Sequence, residues 1–216
     1  MLLQPHQRTK LDTSEDNLFY SYPRFVTHVD NNFINQLTDL YRQKLKPNGR
    51  ILDLMSSWVS HLPKEMEFSY VIAQGMNEEE LAKNPRLDDY VLQNLNKELQ
   101  LPFADGDFDA VLCAVSVQYL EYPEAIFSEI ARILKPNGIA IFSFSNRMFY
   151  QKAISAWRDA TDRQRIHLVK SYFQSVPEFG EAETVIKVSD SELPAFLQMF
   201  SLANQDPFYA VFAEKK

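Results

Sequence analysis

Asp53 closes the short apolar segment Arg50-Ile51-Leu52-Asp53-Leu54. A carboxylate at the carboxyl end of a buried strand can draw a cationic ligand group or cap nearby backbone N–H groups. Directly after it run Met55-Ser56-Ser57-Trp58-Val59-Ser60, with hydroxyls at Ser56 and Ser57 and no glycine. Downstream, Gly75 and Asn77 precede three acids, Glu78-Glu79-Glu80. That pattern is a helix start, with an amide N-cap, acids facing the macrodipole and Glu80 at the capping-box position. Asn77 is therefore either a cap or a ligand contact, and it serves both only if its side chain turns from the cap. Asn94 follows a third strand and suits either a ligand contact or a loop turn, while Ser116, Gln118 and Tyr119 follow a fourth. Tyr119 and Tyr20 are candidate proton acceptors or hydrogen-bond partners. Arg24 and Arg147, with Asn146 beside the latter, are candidates to fix an anionic group through a bidentate contact. His6, His28, His61 and His167 show no metal-ligand spacing, and no GxSxG or Cys-His pairing suggests hydrolysis.

These residues need a sheet to align them, and Leu101–Asn146 shows one. Asp105-Gly106 turns the chain, and Val111 to Val115 is a continuous apolar run suited to a parallel strand covered on both faces. Ile126, Ile130, Ile133 and Leu134 recur at helical spacing, Pro136 ends the helix, Asn137-Gly138 turns, and Ile139–Phe144 is the next strand. This is a right-handed βαβ unit. The same Leu-Lys-Pro-Asn-Gly chemistry at 45–49 and 134–138 marks two helix-to-strand junctions. Elsewhere the pattern predicts strands at Arg50–Leu54, about Ser69–Gln74, Tyr90–Gln93, Glu181–Val188 and Phe208–Ala213. Helices are expected within Phe25–Lys44, over Phe149–Phe173 with a break near Thr161-Asp162, and after a capping box at Ser189-Asp190-Ser191-Glu192. Residues 1–11 are expected to be loosely held, and Asp12–Tyr22 to form a short helix or ordered arm.

A chain of 216 residues, 45% hydrophobic, can bury a sizeable core as one α/β domain over 1–216. Its 22 basic and 29 acidic residues give a net charge of −7, and no dense Lys/Arg stripe offers itself to a phosphate backbone, so no nucleic-acid partner is expected. Cys113 is the only cysteine and lies in the apolar run, which excludes a disulfide framework and a thiolate metal site. No stretch has membrane-spanning length and no signal peptide is visible, so a soluble cytoplasmic location is expected.

LPFADGDFDAVLCAVSVQYL followed by ARILKPNGIAIFSFS resembles the second half of a class I S-adenosylmethionine-dependent methyltransferase of the type 11 kind, and ILDL resembles that family's first strand. The resemblance implies a Rossmann-like α/β fold: a seven-stranded, mostly parallel sheet of order 3-2-1-4-5-7-6, with helices on both sides and the last strand antiparallel. It implies S-adenosylmethionine as cofactor across the carboxyl ends of strands one, two and four, near the topological switch point. Asp53, Ser56, Ser57, Gly75, Asn77, Asn94 and Ser116 would then contact the cofactor, Arg24, Gln118, Asn146 and Arg147 the acceptor, and Tyr119 or Tyr20 the reacting group. The sequence departs from the family in two places: the turn after strand one has no glycine, and Gly75 stands where an acid usually takes the ribose hydroxyls. The strand-four segment Ser116-Val117-Gln118-Tyr119 lacks the Asp/Asn-Pro-Pro-aromatic element of nucleic-acid amino-methyltransferases, so a small-molecule acceptor is implied. Residues 1–30 would act as an arm or lid, with Trp58 limiting space in the cofactor turn. A methyltransferase-like binding or regulatory module without catalysis is the alternative. A nicotinamide-dependent dehydrogenase is a further one, but GxGxxG is absent.

Overall fold

The computed structural model describes residues 2–188 and 205–216. Seven strands, β1 (Arg50–Leu54), β2 (Tyr70–Gly75), β3 (Asp89–Leu92), β4 (Phe108–Ala114), β5 (Leu134–Phe144), β6 (Glu183–Lys187) and β7 (Phe208–Glu214), form one sheet of order β3-β2-β1-β4-β5-β7-β6. β1 through β5 pair in parallel, and β7 runs antiparallel to both β5 and β6. The order reverses between β1 and β4, and Asp53 lies at that reversal, level with Ala73 of β2 on one side and Leu112 of β4 on the other.

Helices cover both faces because each carries an apolar stripe at helical spacing. On one face, α2 (Asn31–Lys44) buries Phe33, Leu37, Leu40 and Tyr41 against Ile51, Val71, Ile141 and Phe208. On the other, α4 (Pro123–Ile133) and α6 (Asp162–Gln174) bury Phe127, Ile130, Tyr172 and Phe173 against Val111, Cys113 and Phe142. The break expected near Thr161 is real: α5 (Ser155–Arg158) ends, and Thr161 caps α6 through a reciprocal capping box with Gln164.

The two Leu-Lys-Pro-Asn-Gly segments share a local backbone shape, although 45–49 precedes β1 while 134–138 already belongs to β5 instead of preceding the strand as expected. Asn48 and Asn137 both take φ 59°, so asparagine supplies the left-handed residue. The glycines are needed for close approach instead. A Cβ at Gly49 would sit 3.0 Å from the Lys46 carbonyl oxygen, and one at Gly138 2.9 Å from that of Lys135. Residues 2–11 are not loosely held as expected. Pro5–Arg8 is a 3-10 helix, Leu3 is buried, and the Arg8 guanidinium pairs with Glu124 while donating to the carbonyls of Leu3 and Glu121. Polar composition misleads there because the charge is buried with its partner. The helix expected after Ser189 lies outside the described residues.

Candidate active site

A cavity of about 350 Å³ opens at the carboxyl ends of β1, β2 and β4, under the segment 16–29 and the loop 147–149. Asp53 stands in its wall. Ser56 Oγ donates to the Asp53 carboxylate at 2.6 Å, and burial nevertheless lifts that carboxyl from an ordinary 3.8 to about 6. Gln74 sets the loop after β1. Its Oε1 accepts from Met55 N at 3.0 Å, its carbonyl accepts from Ser56 N at 2.8 Å, and its Nε2 donates to the Gln93 carbonyl at 2.7 Å. Without a glycine, the loop still makes a left-handed turn: Met55 adopts φ 55°. Val115, at the end of β4, does the same at φ 53°. Such a conformation costs an L-residue about 1–2 kcal/mol. Two of them flank the carboxyl edge where the cavity opens, as strained backbone commonly does at functional sites.

Of the residues expected at the site, Tyr20, Arg24, Asp53, Ser56, Ser57, Gly75, Asn77, Asn94, Ser116, Tyr119 and Arg147 all line this cavity. Several are already engaged. Asn77 caps α3 (Glu78–Leu81) by accepting from Glu80 N, and its Nδ2 donates to the carbonyls of Tyr20 and Ser21. It is therefore a cap and a tether for the arm together. Asn94 accepts from Asn96 N and donates to Asn17. Arg147 is paired with Asp206 at 2.7 Å. Arg24 differs: its guanidinium lies 4.6 Å from the Phe19 ring centroid and 5.4 Å from that of Phe149, donates to the Phe19 carbonyl, and meets no carboxylate within 4 Å among the described residues.

Two expected residues stay outside. Gln118 is buried and turns back to donate to the Val115 carbonyl, because the reversed backbone at Val115 leads into a 3-10 turn over Val117–Tyr119. Asn146 is exposed where the chain leaves β5 and does not line the cavity. Trp58 also points elsewhere, donating from Nε1 to the Val26 carbonyl and packing edge-on against Phe25. The cavity wall also carries carboxylates and imidazoles outside the expected set, at Asp16, His28, His61 and Glu80. Burial lowers both imidazoles, His61 to about 4, so both are neutral at pH 7. A search for metal spacing passes over them, since each acts alone. The sequence signal for His61 is its place in the same loop as Ser56 and Ser60.

Residues 56–142 match the methyltransferase domain family. The fold is that of class I methyltransferases, and the sequence match to the methyltransferase domain covers less than half of the chain. The biotin biosynthesis bifunctional protein BioHC of Teredinibacter turnerae is 31% identical over 140 residues, 63% of this chain and 22% of that protein. The demethylmenaquinone methyltransferase of Corynebacterium glutamicum (strain R) is 31% identical over 106 residues, 48% of this chain and 45% of that protein. The chain thus spans under half the length of these curated relatives. A phosphoethanolamine N-methyltransferase from Haemonchus contortus, solved with S-adenosyl-L-methionine, superposes with a TM-score of 0.56 at 16% identity, over 84% of this chain and 52% of that one.

The family indicates S-adenosylmethionine as the cofactor, and the residues of this methyltransferase-like chain suit its groups. Asp53 offers a carboxylate to an ammonium or sulfonium. Ser57, Val59 and Ser60 line the cavity, and their backbone N–H groups have no carbonyl partner among the described residues, which leaves them available to a ligand carboxylate. Gln93, also in the wall, keeps an unpartnered buried Oε1 for a donor such as an exocyclic amine. Among the described residues no cluster of His, Cys, Asp or Glu is arranged to hold a metal, and no helix is long and apolar enough to cross a membrane.

Proposed function

We propose that this chain transfers a methyl group from S-adenosylmethionine to a small organic acceptor. The observation that supports it best is the cavity at the sheet's switch point, with Asp53 in its wall and an aromatic arm over it. When bound, the cofactor supplies an electrophilic methyl on sulfonium sulfur. The chain's task is then to hold and align two reactants. Asp53, ionised above about pH 6, attracts the positive end, and the free N–H groups of Ser57, Val59 and Ser60 receive the carboxylate. Phe149, stacked on Tyr119 at 6.0 Å and edge-on to Phe19 at 5.3 Å, closes the roof and excludes water.

Proton handling falls to a different residue from those expected. Burial pushes the Tyr119 phenol up to about 12 and that of Tyr20 well above its ordinary value, so both stay neutral and act as hydrogen-bonding groups. Tyr119 Oη already accepts from Phe149 N at 2.7 Å. His28 faces the cavity as a neutral imidazole and is the better proton acceptor. Arg24 is available to an anionic group on the acceptor. A small acceptor suits the cavity's size, and the demethylmenaquinone methyltransferase among the relatives is named for one.

The alternative, a binding module that has lost catalysis, draws on the missing glycine. Met55 at φ 55° weighs against it, because the turn keeps its left-handed shape without one. Calorimetric titration with S-adenosylhomocysteine, S-adenosylmethionine and NADH tests the reading. Heat with the first two and none with NADH is expected; no heat from either adenosyl ligand at millimolar concentration refutes it.

A further inference from the structure

We infer that Glu80 is the carboxylate that receives the ribose hydroxyls of the cofactor, from the first turn of α3 rather than from the end of β2. The inference rests on the cofactor reading above. A vicinal diol is well held by one carboxylate accepting from both hydroxyls, since these are charge-assisted bonds. At the end of β2 no such group fits. A Cβ at Gly75 would lie 2.9 Å from the Ser56 carbonyl oxygen and 3.1 Å from Leu81 Cδ1, so any side chain there displaces the loop after β1. Its neighbours are committed, Gln74 to the backbone of Met55 and Gln93, and Asn77 to the cap and the arm.

Glu80 sits one short step along the chain and lines the same cavity. Its side chain does not return to the Asn77 backbone to complete a capping box. It crosses instead to the loop after β1, where one oxygen accepts from Ser57 Oγ at 2.6 Å, and to the arm, where the other accepts from Arg24 N at 2.6 Å. Each oxygen therefore keeps a lone pair, and one carboxylate has room for two further donors. The remaining acids of the cavity wall are differently placed. Asp16 is paired with Lys10 and Lys152, and Asp53 lies on β1 with Ser56 on it. Glu80 alone of the three combines a place on α3, the helix that follows Gly75 in the same cavity wall, with the absence of an ion pair among the described residues.

The bonds to Ser57 and Arg24 also allow Glu80 to be no more than a latch for the arm, and the test separates the two roles. S-adenosylhomocysteine and its 2′,3′-dideoxy analogue are titrated by calorimetry into the full chain, wild type and Glu80→Gln, with melting curves to show that both are folded. Diol recognition predicts that Glu80→Gln weakens S-adenosylhomocysteine about tenfold and the dideoxy analogue less than twofold. Ser57→Ala, which removes a latch bond but leaves the carboxylate, should keep the wild-type discrimination between the two ligands. Equal loss with both ligands in Glu80→Gln, or no loss with either, overturns the inference and leaves the cofactor reading standing. Wild type that binds neither ligand overturns both.

Discussion

Replacing Asp53 by Asn should make the free protein more stable at pH 8 and its ligand affinity worse. The Asp53 carboxyl is lifted by burial from 3.8 to about 6, with the Ser56 hydroxyl opposing part of that rise. A raised carboxyl binds its proton more tightly in the folded state, so stability falls as pH climbs through 3.8 towards 6 and is flat above. At 1.36 kcal/mol per pKa unit, the ionised side chain costs the fold up to about 3 kcal/mol at pH 8, and water in the cavity reduces this towards about 1. Asp53→Asn removes that cost above pH 6, about half of it at pH 5, and nothing near pH 3. Against the gain stands one weakened hydrogen bond to Ser56, about 0.5–1.5 kcal/mol. Urea unfolding of both proteins at pH 8 and pH 5 measures the difference. At 216 residues, each kcal/mol moves the melting temperature by about 2–4 °C, which gives a second readout. The variant should also bind S-adenosylmethionine at least tenfold more weakly at pH 8. A stability difference that does not change between the two pH values would show that Asp53 is not held in a raised state, and would refute the reasoning.

Lys152→Met should destabilise by about 3 kcal/mol, because it leaves Asp12 and Asp16 facing a buried methyl group, and should expose residues 12–20 to proteolysis before the sheet unfolds. Met55→Ile should cost about 1–2 kcal/mol, since a β-branched residue resists the left-handed turn, while Met55→Gly should stay within about 1 kcal/mol of wild type in urea unfolding. Equal tolerance of Ile and Gly would contradict the observed φ.

Much of the sheet was legible because each parallel strand is a short apolar run between turn residues. Val111–Val115 and Ile139–Phe144 needed no tertiary knowledge to be found, and β4 and β5 contain most of both. The two Pro-Asn-Gly junctions fixed where α2 and α4 must stop. Side-chain direction beyond the strands was another matter. Gln118 points inward because Val115 reverses the backbone, and nothing in a valine announces a positive φ. Glu80 looked like a capping residue because N3 is where such residues occur, and only the folded arm brings Arg24 N to its carboxylate. Residues 1–11 looked loosely held because Glu124, the partner of Arg8, lies far along the chain. Residues at the strand ends and on the arm could be placed at the cavity from sequence, and the hydrogen-bond partners that the folded arm gives them could not.

The arm has a consequence for rates. Its N-terminal end is pinned by Lys152, which is fully buried and donates to the Ser14 carbonyl at 2.6 Å. Its other end is pinned at Asp30, which caps α2 and exchanges backbone-to-carboxylate bonds with Asp206 at 2.9 and 2.8 Å. Between them Ser21, Tyr22 and the run from Phe25 to His28 are exposed. A span clamped at both ends, and latched between them by Asn77 at Tyr20 and Ser21 and by Glu80 at Arg24, cannot swing on a hinge; it opens by releasing those bonds and bowing outward, and the width of the bow is limited by its slack. On the proposed function, entry beneath such a strap is expected to favour slender molecules arriving end-on, with departure waiting on the same excursion. Residence time is the quantity such a strap governs, so shortening or stiffening it would slow binding and release together and leave the equilibrium constant little changed.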